Sequence, residues 1–104
     1  MKKLPKPYQE IKKKYPKVWD AYEKLGTTAA ESGPLDIKTR ELIKLGMAAA
    51  GRSESAVTSH THRALEAGAS VEEIRHAILL GITTMGFPTM MSALVWAEAA
   101  IANQ

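Results

Sequence analysis

The spacing of apolar residues restricts the fold of this chain more than any other feature. Between glycines and prolines it follows the α-helical repeat, and the first apolar stripe lies at positions i, i+1, i+4 and i+7. This stripe consists of Val18, Trp19, Tyr22 and Leu25. Apolar residues at such positions cover one face of a helix. No segment alternates between apolar and polar residues for long enough to form a strand, so the chain is predicted to be all-α.

Prolines and glycines define the N-terminal organisation. Pro16 fits the first turn of a helix. Proline has no backbone N–H, and an N–H at this position would have no partner within the helix. Gly26 is expected to end or interrupt the helix that follows, and Gly33-Pro34 marks a loop. We therefore predict a basic arm or short helix over residues 1–15 and a single helical domain over residues 16–104.

Four further helices are predicted after this loop. They run from Asp36 to about Gly51, from Ser53 or Ser55 to Ala67, from Ser70 to Ile82, and from Thr89 to Ala102. The third of them begins with a capping box, in which the Ser70 oxygen accepts an amide N–H and Glu73 reaches back to the serine amide. The first two are separated by a short loop, which predicts an antiparallel helical hairpin.

The composition excludes several classes of protein. The chain contains no cysteine, which excludes disulfides, thiolate nucleophiles and cysteine-bound metals within it. No apolar stretch approaches the roughly 20 residues that span a membrane. The basic N-terminus is not followed by the apolar segment of a signal peptide. A cytoplasmic protein that does not bind membranes is therefore expected.

Basic residues are concentrated at the N-terminus. Lysines in the first 17 residues supply seven of the chain's 14 basic groups, and Glu10 is the only acidic residue among them. A nucleic-acid-binding protein usually spreads such charge along a face that also carries aromatic or arginine contacts to bases. A terminal cluster is more typical of a solvated arm, so no nucleic-acid partner is expected.

Glu41 and His60 are the candidates for acid–base chemistry, since each lies among apolar or small residues of a central predicted helix. A carboxylate that faces an imidazole can fix its tautomer and raise its basicity, which leaves the other ring nitrogen to take or give a proton. The same pair can also serve as a structural hydrogen bond. The spacing of the two residues leaves both interpretations open.

The histidines do not predict a metal site. His60 and His62 lie two positions apart and point to different faces of a helix, whereas helical zinc ligands lie at i and i+4. His62 is expected to be exposed, and His76, beside Arg75, is expected at the surface or at the rim of a site. Neither a metal nor another cofactor is predicted.

The last predicted helix is apolar on more than one face. Its large apolar residues are Met90, Met91, Leu94, Val95, Trp96 and Ile101. Such a helix needs burial on several sides, and a chain of 104 residues provides little core for this purpose. A subunit interface is therefore expected, which makes the protein a homo-oligomer.

Three runs of sequence carry a resemblance to a known family. They are Thr39-Arg-Glu-Leu-Ile-Lys-Leu-Gly-Met-Ala-Ala-Ala50, Ser59-His-Thr-His-Arg-Ala-Leu-Glu-Ala-Gly68, and Val71-Glu-Glu-Ile with the later Gly86-x-Pro88. In order and spacing they resemble the carboxymuconolactone decarboxylase and alkylhydroperoxidase D-like family over residues 16–102. The resemblance implies an all-α subunit of the alkylhydroperoxidase D-like fold with a central antiparallel helix hairpin, assembled as a trimer or hexamer.

The resemblance also assigns positions to the two branches of that family. In the peroxidase branch a glutamate, a Cys-x-x-Cys pair and a histidine form the site, and these fall on Glu41, on Ser53 and Ala56, and on His60. Serine is not a redox group and lacks the nucleophilicity of a thiolate. A peroxidase name given to the family as a whole can extend to this chain, but thiol peroxidase activity is not expected from it. The decarboxylase branch uses acid–base catalysis and needs no cysteines. At the position where that branch usually has a tyrosine, this chain has Thr84.

Two hypotheses for the function follow. In the first, the chain is a lyase-like or decarboxylase-like enzyme that acts on a small molecule, with His60 as acid–base and Glu41 as its orienter. The other candidate substrate-binding residues are Ser53 and Thr58 as hydrogen-bond donors, Arg52 for a carboxylate, and Met47, Met85 and Phe87 as apolar walls. Plain core packing is the alternative for the last three. In the second hypothesis, the chain is a non-catalytic oligomeric module that binds a small molecule or a protein.

Overall fold

The computed structural model describes residues 6–104, which form six α-helices and one short 3₁₀ helix and contain no strand. The helices are α1 (Lys6–Lys14), α2 (Pro16–Ala30), α3 (Ile37–Ala50), α4 (Glu54–Glu66), α5 (Val71–Leu79) and α6 (Phe87–Ala102), and the 3₁₀ helix spans Leu80–Thr83. The all-α prediction is therefore confirmed. The helices fall into two compact units, one up to Pro34 and the other from Leu35 onwards.

The first unit consists of α1 and α2, which meet at Tyr15. This residue leaves the helical conformation (ψ 64°), because the ring of the following Pro16 disfavours an α conformation before it. As predicted, α2 begins at Pro16. The expectation for Gly26 was wrong, since α2 continues to Ala30. A glycine keeps its backbone N–H, so it weakens a helix by about 1 kcal/mol relative to alanine without breaking it.

In the second unit, α3 and α4 pack against each other after a connection of three residues. The carboxylate of Asp36 accepts the amide of Thr39 at 2.8 Å and begins α3. At the other end of α3, Arg52 takes the left-handed conformation (φ 57°), and the amide of Ser53 donates to the carbonyl of Ala48 at 3.2 Å. These are the features of a Schellman motif, which ends a helix and turns the chain sharply. The predicted antiparallel hairpin is therefore present.

The capping box predicted at α5 is present. The amide of Glu73 donates to the hydroxyl of Ser70 at 3.0 Å, and the amide of Ser70 donates to the carboxylate of Glu73 at 2.9 Å. The chain enters this box through Gly68, whose φ of 97° suits a residue without a side chain. Two orphan donors at the start of α5 are thus satisfied.

The end of α5 and the start of α6 differ from the prediction. The α-helix ends at Leu79, and a tighter 3₁₀ turn carries the chain past Gly81, where a β-carbon would overlap the terminal methyl carbon of Met85. This glycine therefore gives room to the methionine. The last helix begins at Phe87 rather than Thr89, because Gly86 (φ 87°) makes the break and proline is tolerated in a first helical turn.

The core of the second unit combines large residues with alanines. Its fully buried members include Leu45, Val57, Ile74 and Ile78, which pack with Ala49, Ala64, Ala93 and Ala97. The alanines allow the helices to approach closely. Thr61 is also fully buried, and its hydroxyl has no hydrogen-bond partner in residues 6–104. Among residues 6–104, no helix is both long and apolar enough to cross a membrane.

We predict that Ser70→Ala lowers the free energy of unfolding by about 1 kcal/mol, because the substitution removes the oxygen that caps α5. Urea denaturation followed by circular dichroism measures the change. Thr27→Ala is the matched control, since Thr27 is exposed within α2 and its side chain caps no helix. An equal effect of the two substitutions would contradict a role for the capping box.

Candidate acid–base site on the helical hairpin

Glu41 and His60 meet across the hairpin, one on α3 and the other on α4. The distance between Nδ1 of His60 and Oε1 of Glu41 is 2.8 Å. The two side chains are 15% (Glu41) and 19% (His60) exposed, so most of each lies within the protein while the site stays open to water. Their separation of 19 positions fits two helices that run antiparallel from one short turn. The two candidate acid–base residues are thus in direct contact.

The charge on Glu41 results from two opposing effects. Burial raises the pKa of its carboxyl, because the charged form loses water. The hydrogen bond and charge of His60, together with the charges of Arg63 and Lys44, outweigh burial and hold the pKa of Glu41 below its ordinary value of 4.5. Glu41 is therefore a carboxylate at neutral pH.

This charge determines how the imidazole of His60 is oriented. An ionised carboxylate has no proton to donate and can only accept a hydrogen bond. Nδ1 of His60 must therefore carry the hydrogen that it shares with Glu41, both in the neutral ring and in the protonated ring. No other hydrogen bond to this ring is present in residues 6–104. In the neutral ring, Nε2 keeps its lone pair and can accept a proton.

Sequence reasoning missed the two basic residues that act on this pair. Lys44 follows Glu41 by three positions on α3, and Arg63 follows His60 by three positions on α4. Residues three apart are neighbours on one face of a helix, and both charges contribute to the lowered pKa of Glu41. Their i+3 spacing from the two candidate residues was the signal in the sequence.

The positions that are cysteines in the peroxidase branch form the first turn of α4. The Ser53 hydroxyl accepts the amide of Ala56 at 3.2 Å, which makes Ser53 the N-cap of the helix. Its oxygen also lies 3.4 Å from the hydroxyl oxygen of Ser55. Arg52, the candidate for a carboxylate ligand, precedes this cap and is exposed. Neither Ser53 nor Arg52 hydrogen-bonds to His60.

The remaining candidates for substrate binding are spread over several elements. Thr58 is half-buried on α4, two positions before His60. Met85 is half-buried and packs against the core, with its thioether chain beside Gly81. Met47 on α3 and Phe87 at the start of α6 are 66% and 58% exposed. In the single chain these last two therefore face water, and their role as pocket walls stays a prediction.

The other two histidines lie apart from the pair. His62 is half-buried rather than exposed, and its Nε2 lies 3.0 Å from the carbonyl oxygen of Ala100. The expectation of an exposed His62 was wrong because α6 packs against α4 and covers this side chain. His76 is exposed, as predicted. Within residues 6–104, no three histidine, aspartate or glutamate side chains are grouped as a metal site requires.

Comparison with known proteins gives a family match over most of the chain. The sequence model of the carboxymuconolactone decarboxylase family matches residues 16–99. An uncharacterised protein of Haemophilus influenzae is 48% identical over 59 residues, which cover 57% of this chain and 52% of that protein. The match therefore spans about half the length of that relative. An uncharacterised protein of Methanocaldococcus jannaschii is 33% identical over 85 residues, which cover 81% and 82% of the two chains.

Two solved structures have the same fold. A carboxymuconolactone decarboxylase family protein from Legionella pneumophila superposes with a TM-score of 0.80 at 26% identity, over 90% of this chain and 84% of the other. A protein from Burkholderia xenovorans, named after carboxymuconolactone decarboxylase, has a TM-score of 0.74 at 30% identity and covers 96% and 84% of the two chains. The fold implied by the sequence resemblance is therefore confirmed.

We predict that Glu41→Gln lowers the free energy of unfolding at pH 7 by about 1 kcal/mol, because the neutral amide accepts a weaker hydrogen bond from His60. The pKa of Glu41 is lowered in the folded chain, so the stability due to its charge is fully present above the unfolded value near 4.5 and is lost as the pH falls through the folded pKa. Urea denaturation from pH 7 to pH 3 measures this difference.

Glu66→Gln is the matched control for this measurement, because Glu66 is exposed at the end of α4. Its substitution should change stability by less than about 0.5 kcal/mol at every pH. A constant difference between wild type and Glu41→Gln from pH 7 to pH 3 would contradict the assignment of charge to Glu41.

Proposed function

This chain belongs to the carboxymuconolactone decarboxylase family, and we propose that it catalyses proton transfer on a small molecule at the Glu41–His60 pair. The observation that carries the proposal is the 2.8 Å contact between the two side chains. A carboxylate bonded to Nδ1 holds the imidazole in the tautomer whose Nε2 can act as a base. The partial exposure of His60 leaves the ring accessible to a small substrate.

The proposed chemistry assigns a separate role to each member of the pair. Nε2 of His60 takes a proton from the substrate, or returns one to it, at the carbon or oxygen that reacts. Glu41 stays ionised and stabilises the imidazolium that forms when the ring accepts the proton. Since Glu41 acts through His60, its substitution should reduce the rate less than the loss of the imidazole does.

The substrate class is proposed from the family and from the residues near the hairpin. The names of the Legionella and Burkholderia proteins both refer to carboxymuconolactone decarboxylase, so lactones that carry carboxylates are the first compounds to test. Arg52 would bind a substrate carboxylate, and Ser53 or Thr58 would donate a hydrogen bond. Because these 104 residues contain no cysteine, thiol-based peroxide reduction is not part of the proposal.

We also propose that the chain assembles with copies of itself through the outer face of α6. Exposed residues recur there at alternating intervals of four and three, as Pro88, Ser92, Val95, Ala99 and Ala102. This spacing is that of a helix–helix seam, and small side chains allow a second helix to approach closely. Val95 at its centre is 59% exposed in the single chain. A stripe without charged residues suits a second copy of the chain better than it suits water.

His60→Ala is expected to lower kcat/KM on an active lactone by a factor of about 100 or more, the usual contribution of a general acid–base. His76→Ala is the matched control, because that histidine is exposed on α5 and should leave the rate unchanged. Ultraviolet absorbance of 4-carboxymuconolactone and related lactones follows the reaction.

Two results would overturn the catalytic proposal. The first is equal turnover by wild type and His60→Ala, which would remove His60 from the reaction. The second is no turnover across the panel of lactones, together with a bound small molecule or protein in the purified sample, which would favour a non-catalytic binding module.

Val95→Glu tests the assembly, because a charge at the centre of the α6 stripe would lose water in a subunit contact. Light scattering coupled to size-exclusion chromatography should give a trimer or hexamer for wild type and a smaller species for the variant. Glu98→Gln on the same helix is the control and should keep the wild-type mass. A monomeric wild type would refute the proposed contact.

A further inference from the structure

His60 and His62, two positions apart on α4, bind this helix to two different neighbours. Nδ1 of His60 bonds to Oε1 of Glu41 on α3 at 2.8 Å, and Nε2 of His62 bonds to the carbonyl oxygen of Ala100 on α6 at 3.0 Å. Successive residues of an α-helix are rotated by about 100°, so the two imidazoles point in nearly opposite directions about the helix axis. Thr61, which lies between them in the chain, is fully buried.

The oxygen that His62 binds belongs to the last turn of α6. The last four carbonyl oxygens of a helix have no partner within it, and Ala100 lies two residues before the end of α6 at Ala102. The amide of Asn103 also donates to this oxygen, at 3.2 Å, and a carbonyl oxygen has lone pairs for two donors. His62 therefore binds α6 without competing with a hydrogen bond inside that helix.

The two contacts also require opposite tautomers of the two rings. A carbonyl oxygen can only accept a hydrogen bond, so Nε2 of His62 carries a hydrogen in the neutral ring, and Nδ1 keeps its lone pair. In His60 the carboxylate of Glu41 holds the hydrogen on Nδ1 instead, and Nε2 keeps its lone pair. The position of the hydrogen in each ring thus reports whether α4 is bonded to the helix on that side.

The packing of α4 provides few other contacts that would resist a rotation of the helix about its axis. Its fully buried side chains are small and make few contacts each; they are Val57, Thr61 and Ala64. The hydroxyl of Thr61 has no hydrogen-bond partner in residues 6–104. Hydrogen bonds, in contrast, weaken steeply as their angle departs from linear. A rotation of α4 that buries one imidazole exposes the other, so the bond to α6 opposes the rotation that would break the bond to α3.

We propose that His62 is a positioning residue that acts through α4 on His60. By bonding to Ala100, it holds α4 in the rotation at which His60 meets Glu41 and presents Nε2 to a substrate. This inference rests on the proposed function of the pair and adds to it a residue on the opposite side of α4. It concerns the two rings before any substrate binds, so it can be measured without turnover.

The experiment is nuclear magnetic resonance of the full chain labelled with nitrogen-15, at high pH where the imidazole rings are neutral. Correlation spectra of the ring nitrogens should show a hydrogen on Nε2 of His62 and on Nδ1 of His60. In His62→Leu, which has no donor, the Nδ1–H proton of His60 should exchange with water faster by a factor of about five, to which the loss of one ordinary hydrogen bond corresponds. His62→Gln offers an amide N–H near the position of Nε2 and should restore most of the wild-type rate.

Ser70→Ala is the control that separates positioning from general stability. It destabilises the fold by removing the cap of α5, whose hydrogen bonds lie within the first turn of that helix. The Nδ1–H proton of His60 should therefore exchange in this variant as it does in wild type. Well-dispersed spectra establish that each variant is folded.

Three results would overturn the proposal. The first is a hydrogen on Nδ1 rather than Nε2 of His62 in wild type, which is observable without any substitution. The second is an unchanged exchange rate at His60 in His62→Leu. The third is equally fast exchange in Ser70→Ala, which would mean that overall stability sets the rate. An absence of lactone turnover would count against the proposed function and would leave these measurements unaffected.

Discussion

The turn between α3 and α4 is the constraint on which the candidate site depends. Only three residues join the helices, and the left-handed Arg52 reverses the chain before the hydroxyl of Ser53 caps the new helix. A turn of this kind leaves little freedom for the register of the two helices, which then pack along their lengths. Glu41 and His60 come together because they lie on the faces that the two helices share.

The pair combines two requirements that oppose each other. A carboxylate orients an imidazole best where water is scarce, because hydrogen bonds and charges act more strongly there. The same scarcity of water favours the neutral carboxyl. Here the hydrogen bond of His60 and the charges on two sides of Glu41 outweigh its burial. The charge of Glu41 therefore reflects a balance among several groups.

The absence of thiols is compatible with the same hairpin. Where the peroxidase branch has its first cysteine, Ser53 uses its oxygen to bind the amide of Ala56, the residue at the second position. These positions thus stabilise the start of α4 in this chain. In this chain α4 begins at the Ser53 cap, and the Glu41–His60 contact forms farther along the same helix.

The sequence by itself determined most of the helices and identified the two residues of the candidate acid–base site. Helical periodicity, the caps at Asp36, Ser53 and Ser70, and the glycine at position 86 are local features, so they could be recognised one at a time. The contact between Glu41 and His60, the bond that covers His62 and the charges of Lys44 and Arg63 depend on helix register and packing. Only the tertiary structure decided them, because distances between residues far apart in the chain follow from how whole helices pack.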